Sequence, residues 1–528
     1  MRRLFFAVFL VSAAAIGYEI LLMRVLSIVQ WHHFAYMIIS LALLGYGASG
    51  TFIALFRETL EPRFEFAFAL CALLFSIAMV SCFVLGQHVP FNALEIIWDR
   101  TQFLNLGLLY LVFFVPFFFA AVCIGLALTC RSKEVSRLYF FDLFGAGAGA
   151  LLLIGLLFVS YPQAALIVLV ALALIASILV SAGAVARTAL RLGQFAWLLV
   201  VAVVVAGDGL TLRPSEYKGL SQALQVVDSR VLAQESSPLG LLTVVDSPTV
   251  PIRLAPGLSF NARHYPPEQL AVFTDADGMS AITLYDGDPE SIAYLSDVTA
   301  ALPYELLDAP DVLILGAGGG SDVLLALYQD VAHVDAVELN PQMSAFVAET
   351  YAEFAGGIYD DPRVTVHTAE ARGFVAQNDR RYDLIQIGLL DSFAAAGSGV
   401  QALNESYLYT VEALGEYLGD LKPGGLLAVT RWIKSPPRDN LKLAAIAIEA
   451  IERSGAEPAR QLAVIRSWNT VTLLVRNGEF SADDISVIRE FANSRSFDTV
   501  YFPGIDVRDT NRFNLLGKPW LFEGIQAM

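Results

Sequence analysis

A run of glycines and the acids that follow it are the residues of this sequence best suited to chemistry. Gly316, Gly318, Gly319 and Gly320 lie close together, and Glu338 follows about 20 residues later, the spacing at which an acid holds a ribose diol. Glycines let the backbone turn tightly and let a ligand approach it closely. The pattern therefore predicts a site for a nucleoside-bearing cofactor.

Two further acids follow later apolar segments. Glu370 comes after Arg363–His367, and Asp391 comes after Tyr382–Ile387. Ligands of parallel sheets bind where the strands end at their carboxyl side, so both acids are expected on one rim with Glu338. Glu370 is explained equally well as a helix cap or as a partner of an adenine amine. Asp391 is predicted to act on the substrate, because no helix begins directly after it.

A dinucleotide would use a similar glycine turn, but its fingerprint wants glycine or alanine where this chain has Ser321. A pyrophosphate is also disfavoured by several acids, whereas a sulfonium cation is favoured by them. The sequence therefore predicts S-adenosylmethionine or decarboxylated S-adenosylmethionine as a co-substrate, without a metal. The residues predicted to bind it are Gly316, Gly318, Gly319, Gly320, Glu338 and Glu370.

Alternating strands and helices must position these residues. Asp311–Leu315 and His333–Val337 are typical of buried parallel strands. Short strands separated by turns, between residues 231 and 284, predict a small antiparallel β domain, and Ser291–Leu307 is predicted to be a helix. The expected fold of this half is a Rossmann-like α/β sheet of the class I methyltransferase type, preceded by that small domain.

The other half is predicted to be an all-α transmembrane helix bundle. Its spanning candidates are Leu4–Met23, Phe34–Phe56, Phe66–Leu85, Phe103–Thr129, Leu138–Ser160 and Gln163–Ala186. The expected domains are residues 1–210, a polytopic membrane domain with six or seven spans; 211–300, a linker and small β domain; and 301–528, the transferase domain.

The side of the membrane on which the soluble half lies depends on whether a seventh apolar run, Phe195–Gly207, spans it. Lys and Arg are concentrated in the loops on the side of the N-terminus, which predicts a cytoplasmic N-terminus. The seventh run has about 13 apolar residues, fewer than the ~20 that a span needs. Six spans, with the seventh run at the interface or packed on the bundle, place the soluble half in the cytoplasm.

The charge and the cysteine content of the soluble half exclude some partners and some kinds of site. Residues 1–210 contain 11 Lys and Arg against 9 Asp and Glu, whereas the remainder contains 23 against 42. An acidic soluble half argues against nucleic acid as a partner. All four cysteines lie in the first half, so the soluble half offers neither a disulfide framework nor a thiolate zinc site.

Several motifs resemble one enzyme family. They are LILGAGGGSD, VELNP, HTAEARGF and YDLIQIGLLDS. Together they resemble the spermidine synthase group of aminopropyltransferases, in its bacterial branch fused to a polytopic membrane domain. The resemblance implies a bacterial inner-membrane enzyme that moves an aminopropyl group from decarboxylated S-adenosylmethionine to a polyamine-type amine.

The chain differs from this family at the residues that carry out the reaction. The family's fourth strand ends in D-S-S-D, whose first Asp helps to deprotonate the amine and whose second helps to hold it. The matching residues here are Gly388 and Asp391, so Asp391 is the catalytic candidate. Gly319 also stands in place of an Asp in the glycine turn. The amine-binding residues that the resemblance implies are Asp297, Asp391, Tyr407 and Tyr409.

Two alternative functions stay open at this point. One is an S-adenosylmethionine-dependent methyltransferase acting on a membrane-proximal substrate. The other is a non-catalytic or transport-coupled membrane protein that senses a nucleoside ligand. The expected partners are the lipid bilayer and a small-molecule amine, and a homodimer is compatible with the sequence.

Overall fold

The computed structural model describes residues 1–30, 35–181, 187–390 and 407–528. It divides into two compact units, the first built mainly on Met1–Ser221 and the second mainly on the chain from Gln222 to Met528. The sequence predicts three domains, with boundaries at residues 210 and 300, and this three-part division stays a prediction.

Long helices make up the first unit, because its sequence is a series of apolar runs separated by short polar loops. They are α1 (Arg2–Val29), α2 (Ala35–Leu60), α3 (Phe64–Gly86), α4 (Thr101–Cys130), α5 (Val135–Val159), α6 (Pro162–Ser181) and α7 (Arg187–Ala206). Six stretches of the described chain are long and apolar enough to cross a membrane, and one of them, Met37–Gly86, covers most of α2 and all of α3. The predicted all-α architecture of this half is confirmed.

Helix α7 corrects one prediction. The sequence suggests that Phe195–Gly207 is too short to span, but α7 begins well upstream and has 20 residues. At 1.5 Å per residue it is about 30 Å long, the thickness of the hydrocarbon layer. It packs on the bundle through Gln194 and Trp197, whose side chains donate hydrogen bonds to Ser177 Oγ at 2.8 Å and Ser76 Oγ at 2.9 Å.

The segment that follows α7 lies against the last turn of α1. The Ser215 N–H donates to the Val29 carbonyl oxygen at 2.8 Å, and Lys218 Nζ donates to the Ser27 carbonyl oxygen at 2.7 Å. Because α1 begins at the other face of the bundle, the N-terminus and Lys218 lie on opposite faces. The predicted cytoplasmic placement of the N-terminus and of the chain beyond the bundle stays a prediction.

Two glycines of α5 allow a close approach to α1. A Cβ built on Gly145 would overlap the carbonyl oxygen of Phe9, and one built on Gly149 would overlap that of Ala13. Small residues at such contacts let helix backbones pack tightly in a membrane, where lipid is as apolar as the side chains. The α1–α5 contact therefore depends on these two positions.

Gly149→Leu is expected to lower the thermal stability of the purified protein strongly, because overpacking a tight contact costs about 1–3 kcal/mol or more. Gly147→Leu on the same helix is the matched control, since a Cβ at Gly147 meets nothing within 4 Å. The midpoint of thermal unfolding in detergent compares the two variants. Equal midpoints would contradict the close contact between α1 and α5.

The rest of the chain combines strands with mostly short helices. The strands are β1 (Arg230–Ser236), β2 (Leu241–Asp246), β3 (Gln269–Thr274), β4 (Gly278–Thr283), β5 (Asp311–Leu315), β6 (His333–Glu338), β7 (Val364–Thr368), β8 (Tyr382–Ile387), β9 (Leu421–Trp432), β10 (Leu462–Arg466), β11 (Thr470–Arg476) and β12 (Asp498–Tyr501). The helices are α8 (Gly219–Ala223), α9 (Leu302–Glu305), α10 (Ser321–Tyr328), α11 (Pro341–Ala345), α12 (Ala371–Gln377), α13 (Val411–Gly419), α14 (Arg438–Arg453), α15 (Pro458–Gln461), α16 (Ala482–Ser494) and α17 (Trp520–Ala527).

Two sheets organise the second unit. The smaller has the order β1-β2-β3-β4, with antiparallel pairing of β2 with β3 and of β3 with β4. The larger has the order β12-β10-β11-β9-β8-β5-β6-β7. In the larger sheet β5 to β9 pair in parallel, whereas β10 to β12 are antiparallel. The predicted α/β sheet preceded by a small antiparallel sheet is confirmed.

The parallel order brings the predicted ligand residues to one edge. Strands β8, β5, β6 and β7 are neighbours, so their carboxyl ends lie side by side. The glycine turn follows β5, Glu338 ends β6, Glu370 follows β7 and Gly388 follows β8. Buried apolar residues on both faces of the sheet hold these ends in place.

Candidate functional site

The glycine turn has the backbone that its sequence requires. Gly316, Gly318 and Gly320 all have positive φ angles, of 86°, 52° and 87°. This left-handed conformation disfavours residues with a Cβ. Gly320 is also the N-cap of α10, so the cap is not supplied by the side chain of Ser321, whose hydroxyl donates to the Ala281 carbonyl oxygen instead.

Strand β4 closes one side of this turn. The Gly319 N–H donates to Ser280 Oγ at 2.7 Å. A Cβ built on Gly319 would overlap the carbonyl oxygen of Ala281. An aspartate at this position, as in the family that the motifs resemble, would therefore collide with the backbone of β4.

Glu338 lies where its spacing predicts. Its Oε2 accepts a hydrogen bond from the Gly318 N–H at 2.9 Å, and its Oε1 accepts one from the Asn340 N–H at 2.9 Å. Each carboxylate oxygen has two lone pairs, so both can still accept a hydroxyl. Glu338 is thus fixed against the glycine turn while keeping the capacity to hold a ribose diol.

A tyrosine that the sequence does not single out lies beside these groups. Tyr359 is 8% exposed, and its ring is 3.8 Å from a Cβ built on Gly320. Burial and the charges of Glu338 and Asp322 raise the pKa of Tyr359 above its usual value. Within the described residues its hydroxyl has no hydrogen-bond partner, and buried hydroxyls without one are uncommon. A polar ligand at this rim would satisfy it, so the residues present fit an adenosyl donor.

Glu370 has a structural role. It is the N-cap of α12, and its carboxylate accepts hydrogen bonds from the N–H groups of Arg372 at 3.1 Å and Gly373 at 2.6 Å. It also lines a cavity of about 500 Å³ that runs along α12. Capping is therefore shown, while contact with an adenine amine stays a prediction.

The same cavity exposes a polar network centred on Asp335 of β6. Its carboxylate accepts hydrogen bonds from His367 Nε2 at 2.8 Å and Tyr382 OH at 2.9 Å, and it pairs with Arg380 at 2.9 Å. Burial opposes ionisation, but the hydrogen bonds and the charge of Arg380 outweigh it, so the pKa of Asp335 lies below its usual value. This network ties β6 to its neighbours beneath the rim.

Asp335→Asn is expected to lower the free energy of unfolding at pH 7 by about 1–3 kcal/mol, because three donors lose a charged acceptor. A carboxyl whose pKa is lowered on folding stabilises the protein above its unfolded pKa of about 3.9 and loses this effect as the pH falls through its folded pKa. The wild type should therefore lose stability more steeply than the variant below about pH 4. Asp330→Asn, at a fully exposed carboxylate, is the control. Parallel pH curves of unfolding midpoint for wild type and Asp335→Asn would contradict this assignment.

The predicted amine-binding residues are not gathered in one place by the described contacts. Asp297 pairs with Arg495 Nε at 3.4 Å. Tyr407 is exposed, whereas Tyr409 is buried with Arg431 stacked 4.6 Å above its ring centroid. The roles of these three residues stay predictions. Asp391, the catalytic candidate, lies outside the described residues.

Asp322 is a further acid at this rim, and no motif in the sequence singles it out. It lies in the first turn of α10, and its Oδ1 accepts a hydrogen bond from Gln386 Nε2 at 2.8 Å. The Gln386 side chain in turn accepts one from Tyr304 OH at 2.6 Å. Burial raises the pKa of Asp322 to about 6. A carboxyl with this pKa at the ends of β5 and β8 is typical of groups that transfer protons near neutral pH.

The match to known proteins begins before the glycine turn and ends within β9. The family model of the spermine/spermidine synthase domain matches residues 294–427. This part of the chain is thus similar to a spermine/spermidine synthase domain, which confirms the resemblance seen in the motifs. The matched residues include Glu338, Glu370, Gly388 and the whole glycine turn.

Curated relatives match about a quarter of the chain. The polyamine aminopropyltransferase of Streptococcus uberis is 29% identical over 142 residues, which cover 26% of this chain and 46% of the relative. That of Korarchaeum cryptofilum is 29% identical over 148 residues, which cover 28% of this chain and 41% of the relative. The chain thus spans less than half the length of these relatives.

Among solved structures, the spermidine synthase from Thermotoga maritima aligns with part of this chain. It is 16% identical, covers 57% of this chain and 88% of its own, and has a TM-score of 0.35. Among the described residues, no group of three or more His, Cys, Asp or Glu side chains is arranged to hold a metal ion.

Proposed function

We propose that this protein is a membrane-bound transferase that moves an aminopropyl group from decarboxylated S-adenosylmethionine to a polyamine-type amine. The observation that carries the proposal is that the residues matched by the synthase model include the glycine turn and the acids at the ends of β6 and β7. The bilayer and a small amine are the proposed partners, with a homodimer as the proposed assembly and no nucleic acid.

The residues of the rim suit this reaction. The bound donor would supply a carbon activated by the adjacent sulfonium. Glu338 would hold the ribose hydroxyls, and the Tyr359 hydroxyl would gain the hydrogen-bond partner that it lacks in the described chain. Acids around the rim stabilise cationic groups, while the fixed strand ends orient the two reactants. Asp391, Asp297, Tyr407 and Tyr409 stay the proposed amine-binding residues, and Asp391 the proposed catalytic acid.

A transfer assay on the purified full-length protein tests the proposal. With decarboxylated S-adenosylmethionine and 1,4-diaminobutane, mass spectrometry should detect the aminopropylated amine and a thioether nucleoside in equal amounts. A methylated product formed from S-adenosylmethionine would instead indicate a methyltransferase. Binding of the donor without any product would indicate a sensor.

The proposed location is the bacterial inner membrane, with the synthase domain in the cytoplasm where nucleoside donors are made. Because Lys218 lies on the face of the bundle opposite the N-terminus, this places Arg2 and Arg3 outside, against the charge rule. The proposed reaction therefore predicts an N-terminus outside the cytoplasm, whereas the charge rule predicts one inside it.

Cysteine labelling distinguishes these predictions. Ser486→Cys on α16 adds a thiol at an exposed position, whereas the four native cysteines lie in or beside apolar helices and serve as the background. A membrane-impermeant maleimide should label the variant only after spheroplasts are lysed. Labelling in intact spheroplasts would place the domain outside, away from a cytoplasmic donor, and would contradict the proposal.

A further inference from the structure

We propose that Asp322 is a catalytic carboxylate of this protein and that its place is made by the missing side chain of Gly388. This inference rests on the proposed function and adds a proton acceptor to it. It concerns a residue on α10, whereas the acids predicted from the sequence follow the strands.

The geometry at the end of β8 carries the inference. A Cβ built on Gly388 would overlap Asp322 Oδ2, so the carboxylate occupies the space into which a side chain at 388 would extend. Gly388 is also the position at which the resembled family carries the first Asp of its motif. The carboxyl group is therefore present at the end of β8, but it reaches that point from the first turn of α10.

The two oxygens of Asp322 have different surroundings. Oδ1 is held by Gln386, which is 2% exposed and is itself fixed by Tyr304. No donor among the described residues contacts Oδ2, and the Asp322 residue is partly exposed. One oxygen is thus fixed by buried partners, while the other is free to accept a proton from a ligand.

The neighbours of Asp322 are those of the donor site. The Tyr359 ring lies beside Gly320, and its hydroxyl is influenced by the charges of both Glu338 and Asp322. That hydroxyl is buried and lacks a partner in the described chain, which is an independent sign that a polar ligand enters between these groups. Burial keeps the Asp322 carboxyl close to the ionisation balance that suits a general base near neutral pH.

The proposed step balances. The nitrogen lone pair of the amine forms a bond to the carbon next to the sulfonium, and the carbon–sulfur bond breaks with its electron pair going to sulfur. The sulfonium becomes a neutral thioether, and the nitrogen becomes an ammonium. Asp322 Oδ2 accepts one proton from that nitrogen and later releases it to water.

The test compares Asp322→Asn with the wild type in the full-length protein. We expect kcat to fall by about 10²–10⁴-fold, as for loss of a general base, with donor affinity changed less than about threefold. The wild-type profile of kcat/KM against pH should contain an acidic limb near pH 6 that Asp322→Asn lacks. The double variant Asp322→Ser with Gly388→Asp, which returns the carboxyl to the strand, should regain at least tenfold over Asp322→Asn.

Asp383→Asn is the matched control, because Asp383 lies at the other end of β8, where it pairs with Lys422 at 2.7 Å. It should leave kcat unchanged. Full activity of Asp322→Asn, or an acidic limb that persists in it, would overturn the inference.

A second readout separates this inference from the proposed function. If the wild type forms no product, the proposed function fails. Binding of 1,4-diaminobutane in the presence of the thioether nucleoside then tests the role of Asp322 independently of turnover. The affinity of the wild type for the diamine should then rise through pH 6, and that of Asp322→Asn should not. Identical pH dependences would overturn the assignment of Asp322.

Discussion

Replacing Glu338 by Gln is expected to weaken binding of decarboxylated S-adenosylmethionine by about 100-fold. A hydrogen bond to a charged group contributes about 1.5–3 kcal/mol, and each 1.4 kcal/mol is a tenfold change in affinity. Glu338 would lose such bonds to the ribose hydroxyls and would also lose its charged contact with the Gly318 N–H, which helps to hold the turn. Isothermal titration calorimetry on the full-length protein in detergent measures the effect.

Glu349→Gln is the control for this variant. Glu349 is exposed and lies in the helical turn Phe346–Thr350 that follows α11, so removing its charge changes the net charge equally without touching the turn. Its donor affinity should equal that of the wild type. If Glu338→Gln bound the donor as tightly as Glu349→Gln, the assignment of Glu338 to the ribose would be wrong.

Restoring the family residue with Gly319→Asp is expected to abolish donor binding and to destabilise the second unit. The new Cβ would overlap the Ala281 carbonyl oxygen and displace the Ser280 hydroxyl that now accepts the Gly319 N–H. Overpacking of this kind costs about 1–3 kcal/mol, and here the obstacle is backbone of β4 rather than a flexible side chain. Donor titration and the thermal unfolding midpoint measure the two effects.

Gly415→Ala in α13 provides the comparison for Gly319→Asp. A Cβ at Gly415 meets nothing within 4 Å, and alanine is favoured over glycine inside a helix by up to about 1 kcal/mol. This variant should be as stable as the wild type or slightly more so. A Gly319→Asp protein with wild-type stability and donor affinity would show that β4 does not close the turn.

The parts of the fold that sequence could predict are those set by local pattern. Asp311–Leu315 and Tyr382–Ile387 are apolar runs of strand length, and the structure makes them β5 and β8 without change of boundary. The position of Glu338 could also be predicted, because its spacing from the glycines is set by a single strand–helix–strand unit.

Ser291–Leu307 shows where local pattern misleads. Its composition is typical of a helix, but the chain forms short 3₁₀ segments, Pro289–Asp297 and Thr299–Ala301, before α9. Ile292 has a non-helical backbone, and the region packs into the apolar core of the larger sheet. Tertiary packing outweighs helix propensity here, which is a weak preference in any single segment.

The contacts that matter most at the candidate site join residues far apart in the chain. Asp322 and Gly388 meet only because α10 begins at the end of β5, the neighbour of β8. The meeting of Gly319 with β4 likewise requires the small sheet to pack beside the turn. The sequence offers one signal for the first contact: Asp322 follows the glycines, while Gly388 stands where the resembled family has an acid after the fourth strand.

The length of α7 could not be predicted from its longest apolar run alone. The apolar part of α7 is short, but its polar first turns, which include Arg191 and Gln194, extend the helix to 20 residues. Gln194 is accommodated because its side chain donates a hydrogen bond to Ser177 inside the bundle. Counting apolar residues cannot show that a polar residue has a hydrogen-bond partner on a neighbouring helix.

Donor preference tests the central claim most directly. Calorimetric titration of the full-length protein with decarboxylated S-adenosylmethionine and with S-adenosylmethionine compares two ligands that differ in one carboxylate. The charge of Asp322 would repel that carboxylate, because a like-charge pair about 5 Å apart costs on the order of 3 kcal/mol in a partly buried site. The account predicts at least about tenfold tighter binding of the decarboxylated donor. Tighter binding of S-adenosylmethionine itself would contradict it.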